Sequence, residues 1–215
     1  MSFDDFVFGF KRHRSRHKRI LNAERAFHLS LFDLKPGDIA IDCGANVGLY
    51  TRFLARAGAT VHAFEPDPIA FAELKKNTSM MPNVHLHQAA VGVEDGEIEL
   101  FRSTAFDNDP LNRTVDSSTL PIKNLHSDSQ VIKVRQVALT GFISSLSAPV
   151  SILKMDIEGA EVDVLQSLID RKLAGLVHRA FVETHEITHK RLKARTFSLV
   201  RYARTHLPGW NFDWA

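Results

Sequence analysis

The chain has 215 residues, enough to bury a core without disulfide or metal staples. A single cysteine, Cys43, excludes an internal disulfide framework. With no secretory pattern near the first residues and no apolar run approaching the ~20 residues that span a bilayer, it points to a cytoplasmic protein.

The net charge of +2 is unevenly spread. Residues 11–19 hold six of the 27 Lys and Arg residues and no acid, leaving 21 basic against 25 acidic residues elsewhere. Such a run suits phosphates, anionic lipid or an acidic partner, or simply a solvated helix face. Phe6, Phe10, Leu21, Phe27 and Leu31 recur near helical spacing, so residues 3–32 are expected to be helical, with this stripe packed on the body and the basic side chains in water. The division expected is a helical extension over 1–34 and one domain over 35–215. The extension could close over a cleft or pair two copies of the chain.

After the turn Lys35-Pro36-Gly37-Asp38, apolar runs and helical periods alternate. Ile39-Ala40-Ile41-Asp42 predicts a strand, Leu49 to Arg56 a helix and Thr60 to Phe64 a second strand. Pro68 marks a helix start. Val84 to Val91 predicts a third strand, Gly96 to Arg102 a half-exposed one by its period of two, and Val131 to Leu139 another. Residues 103–129 read as a long polar loop, with Asp107, Asn108, Asp109 and Arg113 as possible contacts to an acceptor's hydroxyls. Val150 to Met155 is a buried strand, and Val164, Leu165, Leu168 and Ile169 form the apolar face of the helix after it. Ala180 to Thr184 is a strand, 188–206 a basic helix, and Trp210 to Ala215 could begin one strand more. The alternation predicts an α/β fold, a mostly parallel sheet flanked by helices.

Two features carry chemistry at the carboxyl edge of such a sheet. The first is Asp42-x-Gly44-x-x-x-Gly48 at a strand-to-helix turn, where glycine lets backbone approach a ligand closely. The second is Glu65, 23 residues beyond Asp42 and at the end of the next strand, placed to accept both hydroxyls of an adenosine ribose. The pair suits NAD as well as S-adenosylmethionine. The dinucleotide pattern, however, needs a glycine two residues after Gly44, and Asn46 stands there. Asp42 would repel a pyrophosphate but suits an ammonium and a sulfonium. Alternatively the glycines only permit a tight turn and Glu65 only caps a helix.

Three stretches in this order resemble the FkbM-type methyltransferases: Ile41-Asp42-Cys43-Gly44-Ala45-Asn46-Val47-Gly48-Leu49-Tyr50-Thr51, then Phe64-Glu65-Pro66, then Leu153-Lys154-Met155-Asp156-Ile157-Glu158-Gly159-Ala160-Glu161. The resemblance covers about residues 38–185. It implies a Rossmann-like class I methyltransferase fold, S-adenosylmethionine as donor, and O-methylation of a natural product or sugar. By this likeness Asp42, Gly44, Ala45, Asn46 and Gly48 line the methionine end, Glu65 and Pro66 the ribose, and Ala90 and Val91 the adenine. Two departures stand out. The family's acidic residue ahead of the Lys-x-Asp block is replaced by Leu139-Thr140-Gly141, and the chain stops soon after Trp210, so the closing strand of the class is expected to be missing.

On residue types alone, period two places Lys154, Asp156 and Glu158 on a common side near a strand end, and Glu183 and His185 repeat that placement on the next strand. Glu161 falls in the first turn of a helix, where an acid meets the positive helix end. A hydroxyl acceptor must lose a proton, which makes His185 the first choice of base, from its ordinary pKa, and Asp156 the second. Asp156, Glu183 and His185 could hold a divalent metal, though no compact ligand motif supports one. The expected partner is a small-molecule or carbohydrate acceptor. Methylation of RNA or DNA through the basic run is disfavoured by the absence of an Asn-Pro-Pro-Tyr or Asp-Pro-Pro-Tyr motif. A non-catalytic nucleotide-binding domain is the third reading.

Overall fold

A computed structural model describes residues 18–101, 131–185 and 193–214 of the chain. The stretch expected as a polar loop, with Asp107, Asn108, Asp109 and Arg113, all of the basic run except Lys18 and Arg19, and residues 188–192 of the expected basic helix lie outside them.

The strands are β1 Ile39–Cys43, β2 Thr60–Phe64, β3 Val84–His87, β4 Ala90–Gly92, β5 Gly96–Phe101, β6 Val131–Ala138, β7 Val150–Met155, β8 Val177–Glu183 and β9 Trp210–Trp214. Six form one sheet in the order β3-β2-β1-β7-β8-β9, and every neighbouring pair in it is parallel. Helices α1 (residues 18–30), α2 (Leu49–Arg56) and α3 (Pro68–Asn77) cover one face. Helices α4 (Leu139–Ser145), α5 (Glu161–Asp170) and α6 (Lys193–His206) cover the other. Ala40, Val61, Ile152 and Phe181 point to the first group, while Ile41, Leu153, Ala180 and Val182 point to the second, as the two-residue period of a strand requires. Burial on both faces explains the mostly apolar runs of β1 and β7, which are interrupted by the buried Asp42 and Lys154 and by Ser151. The direction of winding reverses between β1 and β7, so the loops leaving those two strands border the crevice in which open α/β sheets take ligands.

Four expectations change. The run from Val84 to Val91 is two strands: the Ala89 N–H donates to the His87 carbonyl at 2.9 Å, and the turn sends β4 into a separate sheet of order β4-β6-β5. Leu139 opens α4 instead of closing β6. The short tail does supply a sixth strand, β9, parallel to β8. Along α1, Ala23, Phe27 and Ser30 face inward, whereas Leu21 is 51% exposed because two helical positions separate it from Ala23 by about half a turn. Phe27 packs against Phe181, Tyr50 and Trp214, which anchors α1 to the sheet, and Arg19 pairs with Asp213 on β9 at 2.9 Å. No described helix is long and apolar enough to cross a membrane.

Candidate active site

The turn from β1 into α2 is held from three sides. The Gly44 and Ala45 N–H groups both donate to the Phe64 carbonyl, at 3.0 and 2.9 Å, and the Asn46 N–H donates to Glu65 Oε2 at 2.8 Å. Gly44, Asn46 and Gly48 all take left-handed backbone angles, with φ of 75°, 49° and 92°. A Cβ on Gly44 would stand 1.8 Å from the Asp156 carbonyl oxygen, so that glycine lets the β1 turn and the β7 loop touch. The contact is sealed by the Asp156 N–H, which donates to the Cys43 carbonyl at 3.0 Å.

Glu65 is 7% exposed, with Oε1 accepting the Asp67 N–H at 2.8 Å. Asp67, not Glu65, caps α3, its Oδ1 accepting from Ile69 and Ala70. Each Glu65 oxygen keeps a second lone pair for a further donor. Burial pushes the Glu65 carboxyl up to about 7, against the two backbone hydrogen bonds that favour its charge. Pro66, half-buried, spans the two acids.

Asp42 is fully buried below the turn, accepting from Thr51 Oγ1 at 2.6 Å, with Lys154 Nζ at 3.6 Å. Its carboxylate shapes the turn from beneath instead of lining the cleft. Lys154, 3% exposed, donates to the Gly44 carbonyl at 2.8 Å, lies 3.7 Å from Asp156 Oδ2 and sits over the Tyr50 ring. Burial works to discharge the Lys154 ammonium, but Asp42 and Asp156 hold it protonated, above its ordinary pKa. The side chains of Ala90 and Val91 are buried in the core, so only their backbone is available to a nucleoside.

On the β7 side of the crevice, Asp156, Glu158 and Glu161 converge on His185. β7 ends at Met155, so the period of two does not extend to Asp156 and Glu158; a turn brings them round, with Glu158 at φ 59° and Gly159 at 112°. A left-handed non-glycine residue costs on the order of 1 kcal/mol. The cost is offset by Glu161, whose buried carboxylate accepts the N–H groups of Ile157 and Gly159 at 2.9 to 3.1 Å. The same carboxylate accepts His185 Nδ1–H at 3.0 Å. Nε2 of that ring then faces Glu158 Oε2 at 3.3 Å and Asp156 Oδ1 at 3.8 Å. Glu161 is thus the central residue of the cluster, although its position in the sequence announced only a helix-end acid. Glu183 ends β8 close enough that burial and the Asp156 charge raise its pKa.

Burial would lower the His185 pKa, but the hydrogen bond and charge of Glu161, with Glu158 and Asp156, push it up to about 9. An imidazolium has no lone pair for a proton, so an ordinary histidine pKa is no guide to a base here. Glu158 is pushed up to about 7 by burial, opposed by His185.

A family model described as the methyltransferase FkbM domain matches residues 42–202. The chain belongs to that family. The domain is accordingly of the S-adenosylmethionine-dependent methyltransferase type, on the mostly parallel, helix-flanked Rossmann-like sheet described above. The FkbM-family chain is 32% identical over 145 residues to Methyltransferase 1 of Beauveria bassiana (strain ARSEF 2860), covering 60% of this chain and 58% of that protein. It is 28% identical over 178 residues to the 31-O-demethyl-FK506 methyltransferase FkbM of Streptomyces tacrolimicus, covering 72% and 68%. Against the crystal structure of an rRNA methylase from Streptococcus thermophilus the TM-score is 0.45 at 13% identity, over 79% of this chain and 75% of the other.

Proposed function

We propose that this chain transfers a methyl group from S-adenosylmethionine to a hydroxyl of a small molecule, sugar or polyketide-like natural product, through the domain over 35–215 with 1–34 as its extension. The observation that carries the reading is the contact of two loops at the crevice: the Gly44 turn with Glu65 at its rim, and the β7 loop with Asp156, Glu158 and His185. The residues fit the donor. Glu65 retains lone pairs for a ribose diol, and Gly44, Ala45, Asn46 and Gly48 form the turn that a methionine end would lie against. When bound, S-adenosylmethionine supplies a methyl group on a sulfonium.

The chain's own residues align and deprotonate the acceptor. Alignment of a lone pair can be worth about 7–11 kcal/mol, and a placed base adds roughly a hundredfold to ten-thousandfold. Asp156 takes the base role: it lies at the contact of the two loops, is partly exposed, and stands between Lys154 at 3.7 Å and His185 at 3.8 Å. His185, Glu183 and Lys154 tune and position that carboxylate. The O-methyl chemistry is supported by the name of the Streptomyces relative, a 31-O-demethyl-FK506 methyltransferase.

The test screens sugars, polyols and macrolide alcohols for a methyl mass shift with the purified chain. Expected are donor binding in the native chain, its loss in Glu65→Ala, and retained binding with abolished turnover in Asp156→Asn. Normal donor binding by Glu65→Ala would overturn the ribose assignment, and methylation confined to amines would overturn the hydroxyl.

A further inference from the structure

Around His185 the chain gathers more carboxylates than the proton transfer uses, and their directions differ. Asp156 Oδ1 and Glu158 Oε2 both face Nε2 of the ring, while Glu161 faces Nδ1. Ligand atoms on Asp156, Glu161 and His185 all fall within 4.8 Å of one another. Neighbouring ligand atoms of an octahedral ion with bonds of ~2.1 Å lie about 3 Å apart, and Nε2 lies 3.3 Å from Glu158 Oε2 and 3.8 Å from Asp156 Oδ1.

We propose that Asp156, Glu158 and His185 bind one divalent cation of the Mn²⁺ or Mg²⁺ kind, with Glu161 fixing the imidazole from behind. Glu161 is 1% exposed and is itself held by the Ile157 and Gly159 N–H groups. By taking Nδ1–H it leaves Nε2 as the nitrogen that faces the two carboxylates, the arrangement in which an outer carboxylate orients a metal-bound histidine. The donor set, two carboxylate oxygens and one nitrogen, suits a hard or borderline ion. Asp156, Glu158 and His185 are between 11% and 33% exposed, so solvent and an acceptor reach the site. The bound ion displaces the Nε2 proton, keeps positions open for an acceptor's oxygens and lowers the pKa of a coordinated hydroxyl. That last role rests on the O-methyl reading; binding of the ion does not.

The experiment titrates Mn²⁺ into the chelator-treated full chain, without methyl donor, and follows free Mn²⁺ by electron paramagnetic resonance. One ion per chain is expected. Affinity should fall at least tenfold in Asp156→Asn, Glu158→Gln and His185→Gln, and by tenfold to a hundredfold in Glu161→Gln, with an excess of Mg²⁺ displacing the ion. Glu65→Gln and His62→Gln should bind normally. Glu158→Gln lies on a partly exposed turn and keeps the test usable if the more buried changes unfold the chain, which circular dichroism would report. No stoichiometric binding below millimolar Mn²⁺ overturns the proposal. So does binding indifferent to Asp156 and Glu158, or binding lost in His62→Gln, which would put the ion on the histidines of β2 and β3. Mn²⁺ bound without methyl transfer would sink the reaction and leave the site; transfer unaffected by chelator with no ion bound would do the reverse.

Discussion

Lys154 Nζ donates to the Gly44 carbonyl at 2.8 Å, joining residues 110 apart in sequence and tying β7 to the turn that follows β1. The same ammonium is the charge partner of the fully buried Asp42. Lys154→Met therefore strands a carboxylate in the core, which costs about 3–5 kcal/mol when one partner of a buried pair is removed. The double change Asp42→Asn with Lys154→Met should recover much of that loss. Urea denaturation of the two single variants and the double one gives the coupling; simple additivity would show that the pair does not act as one unit.

Gly44→Ala is expected to be among the most damaging single changes. Its Cβ would meet the Asp156 carbonyl oxygen at 1.8 Å, and its φ of +75° already disfavours a side chain. Gly141→Ala in α4 meets nothing within 4 Å and should be neutral or stabilising by up to about 1 kcal/mol, since alanine is the better helix former. At this chain length 1 kcal/mol moves Tm by roughly 2–4 °C, so melting curves separate the two. A Gly44→Ala chain that melts with the native one would refute the loop contact.

The sheet was legible in the sequence because β1 and β7 are buried on both faces and β2 and β8 over their C-terminal halves, so that each writes itself as a largely apolar run closed by Gly or an acid. β4 was not, because the bend at Ala89 leaves no mark in periodicity and a three-residue strand has no pattern of its own. The donor turn was legible through Gly44 and Gly48. What Asp42 and Lys154 do was not, since a charged residue in a strand gives no sign of whether it faces a ligand or a buried partner. Glu161 was read correctly as an acid in the first turn of a helix, but that position explains an acid there before its contact with His185, 24 residues on, can be seen. The pairing of His62 with His87 had a visible trace, the His85-x-His87 alternation on a strand, which carries no chemistry until β2 is placed beside β3.

His185 makes stability depend on pH above neutrality. Its folded pKa of about 9 lies above the ordinary 6.5, so its stabilising contribution is complete below pH 6.5 and disappears as pH rises through 9. A shift of this size corresponds to ~3 kcal/mol at most by linkage, reduced by whatever solvent reaches the ring. Tm of the native chain should therefore fall between pH 6.5 and 9, and His185→Gln should start lower and fall less over that window. A His185→Gln chain with the native alkaline slope would show that Glu161 does not hold an imidazolium.

The second histidine cluster titrates in the opposite sense. His62 Nδ1 and His87 Nε2 are 3.2 Å apart, sharing one proton, and the rings pack among Phe64, Phe142 and His85. Burial, then the neighbouring His87 and His85, lower the His62 pKa to about 4, and burial lowers that of His87 as well. The folded chain thus binds fewer protons here than the unfolded one between pH 6.5 and 4. The contribution is present above pH 6.5 and is lost as pH falls through 4, when a charge must enter the aromatic packing between β2, β3 and α4. His62→Phe keeps a ring of similar size in that packing and removes the charging step. Its Tm should decline less than that of the native chain from pH 6.5 to 4, while its alkaline slope, set by His185, stays the same. Equal acid slopes in the two proteins would mean that the two imidazoles separate and reach water before they charge.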